Sequence, residues 1–218
     1  MRYEKFIPSQ EGEMTDNPTF LAILNAASEL FMQRGYKAVT MRDIAAHAGV
    51  NLGLIPYYFT SKENLANRVC MDMIDHLYQT INQIDMSGTT SAEKLFISSL
   101  LSWQYMDDHP DYARFFYEFY ETSGAAETPS KSFIEMSQLV IHEYGIKVSP
   151  KENEIYFTVM KGAERLLILK RYNQQLHITL EEIEKVLISN YFYNIGLPDK
   201  VIAQIISNSQ AFLKKHAK

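Results

Sequence analysis

The residues best placed to do chemistry in this chain stand between Thr40 and Lys62. Lys62 falls in the first turn of a predicted helix, where a cation opposes the macrodipole and is unfavourable by itself. A phosphate at that point reverses the sign, because free helix N–H groups, the dipole and the ammonium then all favour one anion. A different chemistry, general acid–base catalysis, is suggested by Asp107, Asp108, His109 and Asp111, but these precede or flank Pro110 at a predicted helix junction, where acidic caps are common. His47, His76, His142, His177 and His216 lack the spacing of a helical metal site, and no phosphate loop, nucleophile elbow or dinucleotide fingerprint occurs. We therefore expect no enzyme activity, no metal and no cofactor. Cys70 is the single cysteine, which excludes an intramolecular disulfide, and it reads as a small apolar helix residue rather than a redox switch.

The elements that must position these residues read as helices throughout. No stretch alternates apolar and polar residues with β-branched enrichment, while helix punctuation recurs along the chain. Asn17 caps a first helix with Pro18 in the turn where a missing N–H costs nothing. Phe20, Leu24, Ala27 and Phe31 fall on one face, and Gly35 ends it. Thr60 with Glu63, Thr90 with Glu93, Ser149 with Glu152 and Thr179 with Glu182 have the spacing of capping boxes. Pro110, Pro129 and Pro198 can open helices, and Gly145 and Gly196 stand where helices stop. The expectation is about ten helices, at 18–34, 41–48, 52–58, 61–85, 91–108, 110–122, 129–144, 150–173, 180–195 and 198–215. The fold class is all-α.

From Thr40 to Phe59 the chain reads TMRDIAAHAGVNLGLIPYYF. Thr40 and Asp43 pair at the start of a short helix, Ile44, Ala45 and Ala48 form its inner face, and Gly49 permits a sharp turn. Asn51 then caps a second short helix whose Ile55 and Phe59 pack back. Two short helices joined by a glycine turn and braced by a third make a helix-turn-helix, whose second helix fits a major groove. Charge agrees with this placement: the chain carries a net charge of −5, yet residues 18–70 hold five basic and three acidic side chains.

Residues 23–65, ILNAASELFMQRGYKAVTMRDIAAHAGVNLGLIPYYFTSKENL, resemble the DNA-binding domain of the TetR/AcrR family. The likeness lies in the paired alanines and Leu-Phe of the first helix, Gly35 with Tyr36, Thr40, IAAHAGV, Gly53, YYF, and SKE before Leu65, about a fifth of the chain. The resemblance implies that Thr40 and Arg42 touch the DNA backbone. It implies that Asn51, Leu52, Gly53, Leu54, Pro56 and Tyr57 face the groove, and that Tyr58 and Lys62 bind phosphate. Leu52 and Pro56 depart from the family pattern, in which polar residues or Tyr and Asn are usual. Pro56 also lacks an N–H, so the recognition helix should be short or kinked. Leu52 and Leu54 suit thymine methyl groups, which points to a partly AT-rich operator.

The expected organisation is an N-terminal tail at 1–16 without order, a helix-turn-helix domain at 17–65 with its motif at 40–59, and a larger helical effector-binding and dimerisation domain at 66–218. Eight aromatic residues between Trp103 and Tyr120 exceed one helix stripe and suit a pocket for an apolar or aromatic small molecule. Trp103, Phe116, Tyr120, Met136, Tyr156, Met160 and Glu164 are its candidate lining. The resemblance implies a homodimer through the C-terminal helices, with Ile183, Val186, Leu187, Tyr191, Ile202, Ile205, Ile206 and Phe212 supplying apolar surface. A twofold dimer reads an inverted repeat in double-stranded DNA. Together these readings make the protein a cytoplasmic transcriptional repressor, released from a palindromic operator when an effector shifts the helix after Lys62. No membrane span is expected, because the apolar runs are too short. The rival classes are an enzyme and an adaptor that keeps the helix-turn-helix but binds only protein.

Overall fold

The computed structural model describes residues 17–81, 83–122 and 131–216. The tail at 1–16 and Pro129 lie outside the described residues. Within them every regular element is a helix: α1 (Pro18–Arg34), α2 (Met41–Ala48), α3 (Leu54–Phe59), α4 (Lys62–Ile81), α5 (Ser91–Asp108), α6 (Pro110–Thr122), α7 (Lys131–Glu143), α8 (Pro150–Tyr172), α9 (Leu180–Ile195) and α10 (Asp199–His216). The protein is all-α. Two compact units are built from these helices, one from residues up to Leu77 together with Met106–Ala126, the other from Tyr78–Tyr105 and Glu127–Lys218.

Local chemistry sets most helix ends. Asn17 Oδ1 accepts the Thr19 N–H at 2.9 Å and the Phe20 N–H at 3.4 Å, using two of the donors a helix start leaves over. Reciprocal capping boxes open α2, α8 and α9 at Thr40, Ser149 and Thr179, and Thr90 with Glu93 does the same for α5. The expected box of Thr60 with Glu63 does not form. Ser61 caps α4 instead, its Oγ accepting the Asn64 N–H at 3.1 Å, because the backbone at Thr60 turns the other way (φ 63°, ψ −48°). At its far end α4 stops at Ile81, four residues short of the expected 85, and turns follow. Asp85 is drawn into one of them by the Ser87 N–H, which it accepts at 3.0 Å.

In the first unit Ile23, Leu24, Ala27, Phe31, Val39, Ile44, Ile55 and Leu65 are buried together with Phe59, whose ring stacks on Phe20 at 4.7 Å. Helix α6 belongs to this unit. Phe115 stacks on Phe31 at 5.1 Å and Phe119 meets Tyr36 edge-on at 5.2 Å. Charges complete the joint: Arg114 Nη2 donates to the carbonyls of Met32 and Gln33 at 3.0 and 2.7 Å, a cation placed on the negative end of α1. Glu118 Oε2 accepts the Lys37 N–H at 2.7 Å, and Lys37 Nζ pairs with Glu121 at 2.6 Å. Gly35 is fitted to this joint. It has φ +80°, and a Cβ there would stand 2.6 Å from the Glu118 carboxylate.

In the second unit α8 and α9 pack most closely, and Phe157, Met160, Ile168, Ile183, Leu187, Ile188, Tyr191 and Phe192 are buried. The Tyr191 hydroxyl donates to Asn153 Oδ1 at 2.8 Å. A smaller cluster joins Ile81, Met86 and Ile97 with Leu101, Phe212 and Leu213. Six of the eight residues expected to offer dimer surface are internal: Ile183, Leu187, Tyr191, Ile202, Ile205 and Ile206 are all buried within the single chain. Their apolar character is used up by packing inside the unit.

Candidate nucleic-acid interface

Helix α2 begins at Thr40, whose N–H and Oγ1 both donate to Asp43 Oδ2, at 2.8 and 2.6 Å, while Thr40 Oγ1 accepts the Asp43 N–H at 3.2 Å. Hydrogen bonds from the Thr40 hydroxyl and then its backbone hold the Asp43 carboxyl below its ordinary range. The hydroxyl proton of Thr40 is thus committed to Asp43. Arg42, beside it, is exposed. Gly49 ends α2 at φ +68°, a left-handed conformation that favours glycine, and its N–H reaches the carbonyls of Ala45 and Ala46.

The chain then enters α3 through a tight turn. Asn51 Oδ1 accepts the Gly53 N–H at 3.0 Å, and the N–H groups of Leu54 and Ile55 bond to the carbonyls of Asn51 and Leu52 at 3.0 and 3.2 Å. The helix has six residues and starts at Leu54, two later than expected. Pro56 is its third residue, inside the first turn, where no N–H is needed, so the proline is accommodated. What ends α3 is Thr60. The Ser61 N–H closes a three-residue turn on the Phe59 carbonyl at 2.6 Å, and a β-branched residue sits at positive φ.

Ile55 and Phe59 face inward, as the spacing required. Asn51, Leu52, Gly53, Pro56 and Tyr57 are exposed, and Leu54 is half-buried. Tyr57 is 75% exposed, which leaves its ring no part in the core. Gly53 has φ −64°, and a Cβ there would meet only Asn51 Oδ1, at an ordinary 3.5 Å. Nothing inside the fold requires glycine at that position. A bare backbone on an exposed helix entrance suits close approach by a second molecule.

Tyr58 and Lys62 sit closer to the protein than their neighbours. Tyr58 is half-buried, edge-on to Phe20 at 5.9 Å and to Tyr57 at 4.9 Å. Lys62 Nζ donates to the Tyr36 carbonyl at 2.6 Å and lies 4.2 Å from the Tyr36 ring centre. Burial lowers its pKa, against the opposing pull of Glu118 and Asp43. The sequence offered no sign of this internal partner. An ammonium has three donors, so one bond to a carbonyl fixes its position and leaves others.

The seven candidate pocket residues divide between the two units. Phe116 and Tyr120 lie in the first, buried, with ring centres 4.1 Å apart. Trp103, Met136, Met160 and Glu164 are buried in the second, where Tyr156 is half-buried and Glu164 is paired with Lys161. Sequence reasoning missed Arg114 and Glu118 as the residues that tie α6 to α1. It also missed Glu184, which stands in a run of charges yet is buried. No group of three or more His, Cys, Asp or Glu side chains placed to hold a metal occurs among the described residues.

Comparison with known proteins fits this geometry. Residues 23–69 match the family model described as bacterial regulatory proteins, tetR family. Over 88 residues the chain is 38% identical to the HTH-type transcriptional repressor KstR2 of Mycolicibacterium smegmatis, a stretch covering 40% of each chain. It thus spans about two fifths of the length of that curated relative. The crystal structure of RolR in complex with resorcinol has a TM-score of 0.61 at 17% identity, covering 87% of this chain and 93% of that one. Thermus thermophilus FadR in complex with lauroyl-CoA has a TM-score of 0.55 at 17% identity, covering 81% and 93%. Likenesses at this identity concern the fold, whereas the N-terminal match extends to the residues of the helix-turn-helix itself. The likeness to the tetR family of bacterial regulatory proteins is thus carried by residues 23–69, and beyond them the chain shares an all-helical fold with solved structures such as those of RolR and FadR.

Proposed function

We infer that this protein is a DNA-binding transcriptional repressor, a homodimer that sits on an inverted-repeat operator in the cytoplasm and is released by a small molecule. The observation that carries the reading is the exposed entrance and outer face of α3, where Asn51, Leu52, Gly53, Pro56 and Tyr57 stand clear of the core and Gly53 has no cause inside the fold. In this reading Thr40 and Arg42 meet the DNA backbone, Asn51 to Tyr57 face the groove, and Tyr58 and Lys62 hold phosphates. Leu54 is half-buried, which leaves Leu52 as the main apolar contact to thymine methyl groups. Repression is supported by the relative's description as a transcriptional repressor. A small-molecule effector is supported by the resorcinol and lauroyl-CoA complexes of two proteins of like fold. No helix among the described residues is long and apolar enough to cross a membrane.

The dimer surface in this reading lies on the outward faces of α8 and α9. Ile155, Val159 and Leu166 recur at helical spacing on α8 and are exposed, as are Val186 and Tyr193 on α9. Val186 and Tyr193 also line a groove of about 570 Å³ with Ala203 and Ser207 of α10. Effector binding acts through α4, a continuous helix from Lys62 to Ile81, and changes the spacing of two recognition helices. The effector must then bind free dimer more tightly than DNA-bound dimer.

Selection of genomic fragments with the purified chain tests the reading. We expect enrichment of an inverted repeat, bound by a species that sediments as a dimer. A monomer that enriches no fragment overturns both parts.

A further inference from the structure

The peptide between Tyr36 and Lys37 is gripped at both edges. Its N–H donates to Glu118 Oε2 of α6 at 2.7 Å, and its C=O accepts from Lys62 Nζ of α4 at 2.6 Å. A trans peptide is planar and points these two groups in opposite directions, so carboxylate, peptide and ammonium form one chain of hydrogen bonds. Both end partners carry charge. Bonds to charged groups are the stronger ones, and bonds in a chain polarise one another. The peptide plane cannot turn at one edge without moving the group held at the other.

The surroundings tighten this grip. Lys62 Nζ also lies 4.2 Å from the Tyr36 ring centre, and that ring meets Phe119, next to Glu118 on α6, edge-on at 5.2 Å. The backbone at Gly35 comes so close that a Cβ there would stand 2.6 Å from Glu118 Oε2. Charge alone argues against an acid at this place. Glu118 is half-buried and its charge acts on Lys62, the candidate phosphate ligand, so the carboxylate also repels an incoming phosphate. Its use must lie in geometry. An ammonium has three donors, and holding one on a fixed carbonyl aims the other two.

We propose that Glu118 is a positioning residue for DNA binding: through the peptide between Tyr36 and Lys37 it fixes the Lys62 ammonium where it meets a phosphate. The proposal rests on the reading that Lys62 binds phosphate. It adds that a residue of α6, outside the helix-turn-helix, sets that contact.

Fluorescence anisotropy of the full chain on a selected operator duplex, across a range of salt, tests it with two variants that separate reach from charge. Both are conservative and leave Arg114, Phe115 and Phe119 in place. Glu118→Asp keeps the charge but falls one methylene short of the Lys37 N–H. It should bind more weakly, and the fall of log K with log salt should become shallower by about one, as in Lys62→Ala. Combined with Lys62→Ala, it should make the slope no shallower still. Glu118→Gln keeps the reach and an acceptor oxygen, so its slope should stay at least as steep as that of the wild type. A side chain that only stabilises the joint would lower affinity at every salt and leave the slope alone. A Glu118→Asp slope equal to the wild type, a further change in the double variant, or a Glu118→Gln slope as shallow as that of Glu118→Asp would each overturn the proposal. If Lys62→Ala itself leaves the slope unchanged, the phosphate reading of Lys62 fails and the proposal with it. If Lys62→Ala makes the slope shallower and Glu118→Asp does not, the proposal alone fails.

Discussion

The joint between α1 and α6 and the interior beneath α9 handle charge in opposite ways. At the joint, Lys37 is paired with Glu121, Glu118 accepts a backbone N–H and Arg114 donates to two backbone carbonyls. There charge fastens backbone. Beneath α9, Glu184 is buried with one oxygen unpartnered and a second carboxyl close enough to raise its pKa. Such an arrangement costs stability whenever the carboxyl ionises. The contrast suggests that the helix-turn-helix unit is built to hold one shape, whereas the second unit keeps a polar group in reserve.

Four substitutions test how far that contrast holds. Glu184→Gln has the largest expected effect. The folded pKa, about 8, lies above the ordinary carboxyl value of 4.5, so the stability Glu184 contributes is fully present below pH 4.5 and is lost as pH rises through 8. At pH 9 the variant should be more stable than the wild type by about 4 kcal/mol, with little difference at pH 5. Trp103, the single tryptophan, belongs to the second unit and reports its unfolding by fluorescence. A difference that ignores pH contradicts the assignment. Next comes Gly35→Ala, which forces a side chain to positive φ and into the Glu118 carboxylate. It should destabilise the first unit by roughly 3 kcal/mol, read as faster amide exchange at the end of α1 and in α6. Unchanged exchange there breaks the picture of a fastened joint.

Thr60→Gly should stabilise the first unit by about 1 kcal/mol, because relief of the strained turn exceeds the added chain entropy. Thermal unfolding with α3 exchange as the local readout checks it; destabilisation would mean the Thr60 side chain earns its conformation by contacts. Leu52→Ala should weaken operator binding by about 1 kcal/mol, concentrated at A·T positions under that residue. A uniform loss across operator variants would instead give Leu52 no part in base reading.

Much of the helix-turn-helix was legible in the sequence, because its turns depend on local chemistry. Asn17, Thr40, Gly49 and Asn51 each act within three or four residues of themselves. Locality also explains the miss at Thr60. Thr60 and Ser61 are adjacent hydroxyls with Glu63 and Asn64 at matching spacing, and only the backbone turn selects Ser61. The aromatic run in α6 was legible as surplus but not in its use. Periodicity identifies a face without naming what the face meets, and part of that face meets Phe31 and Tyr36. Ile183 and Leu187 were misread for the same reason: they read as spare apolar area until the other helices covering them are seen. Glu184 was invisible, since LEEIEKV reads as a solvated stretch and its burial is a property of the packed unit alone.

A grip on DNA phosphates by the α2 to α4 segment makes operator binding sensitive to salt. With a selected operator duplex and fluorescence anisotropy, log K should fall linearly with log salt, and Arg42→Ala should lower the slope by about one. Binding that ignores salt, or a slope unchanged by Arg42→Ala, Tyr58→Phe and Lys62→Ala alike, would contradict it.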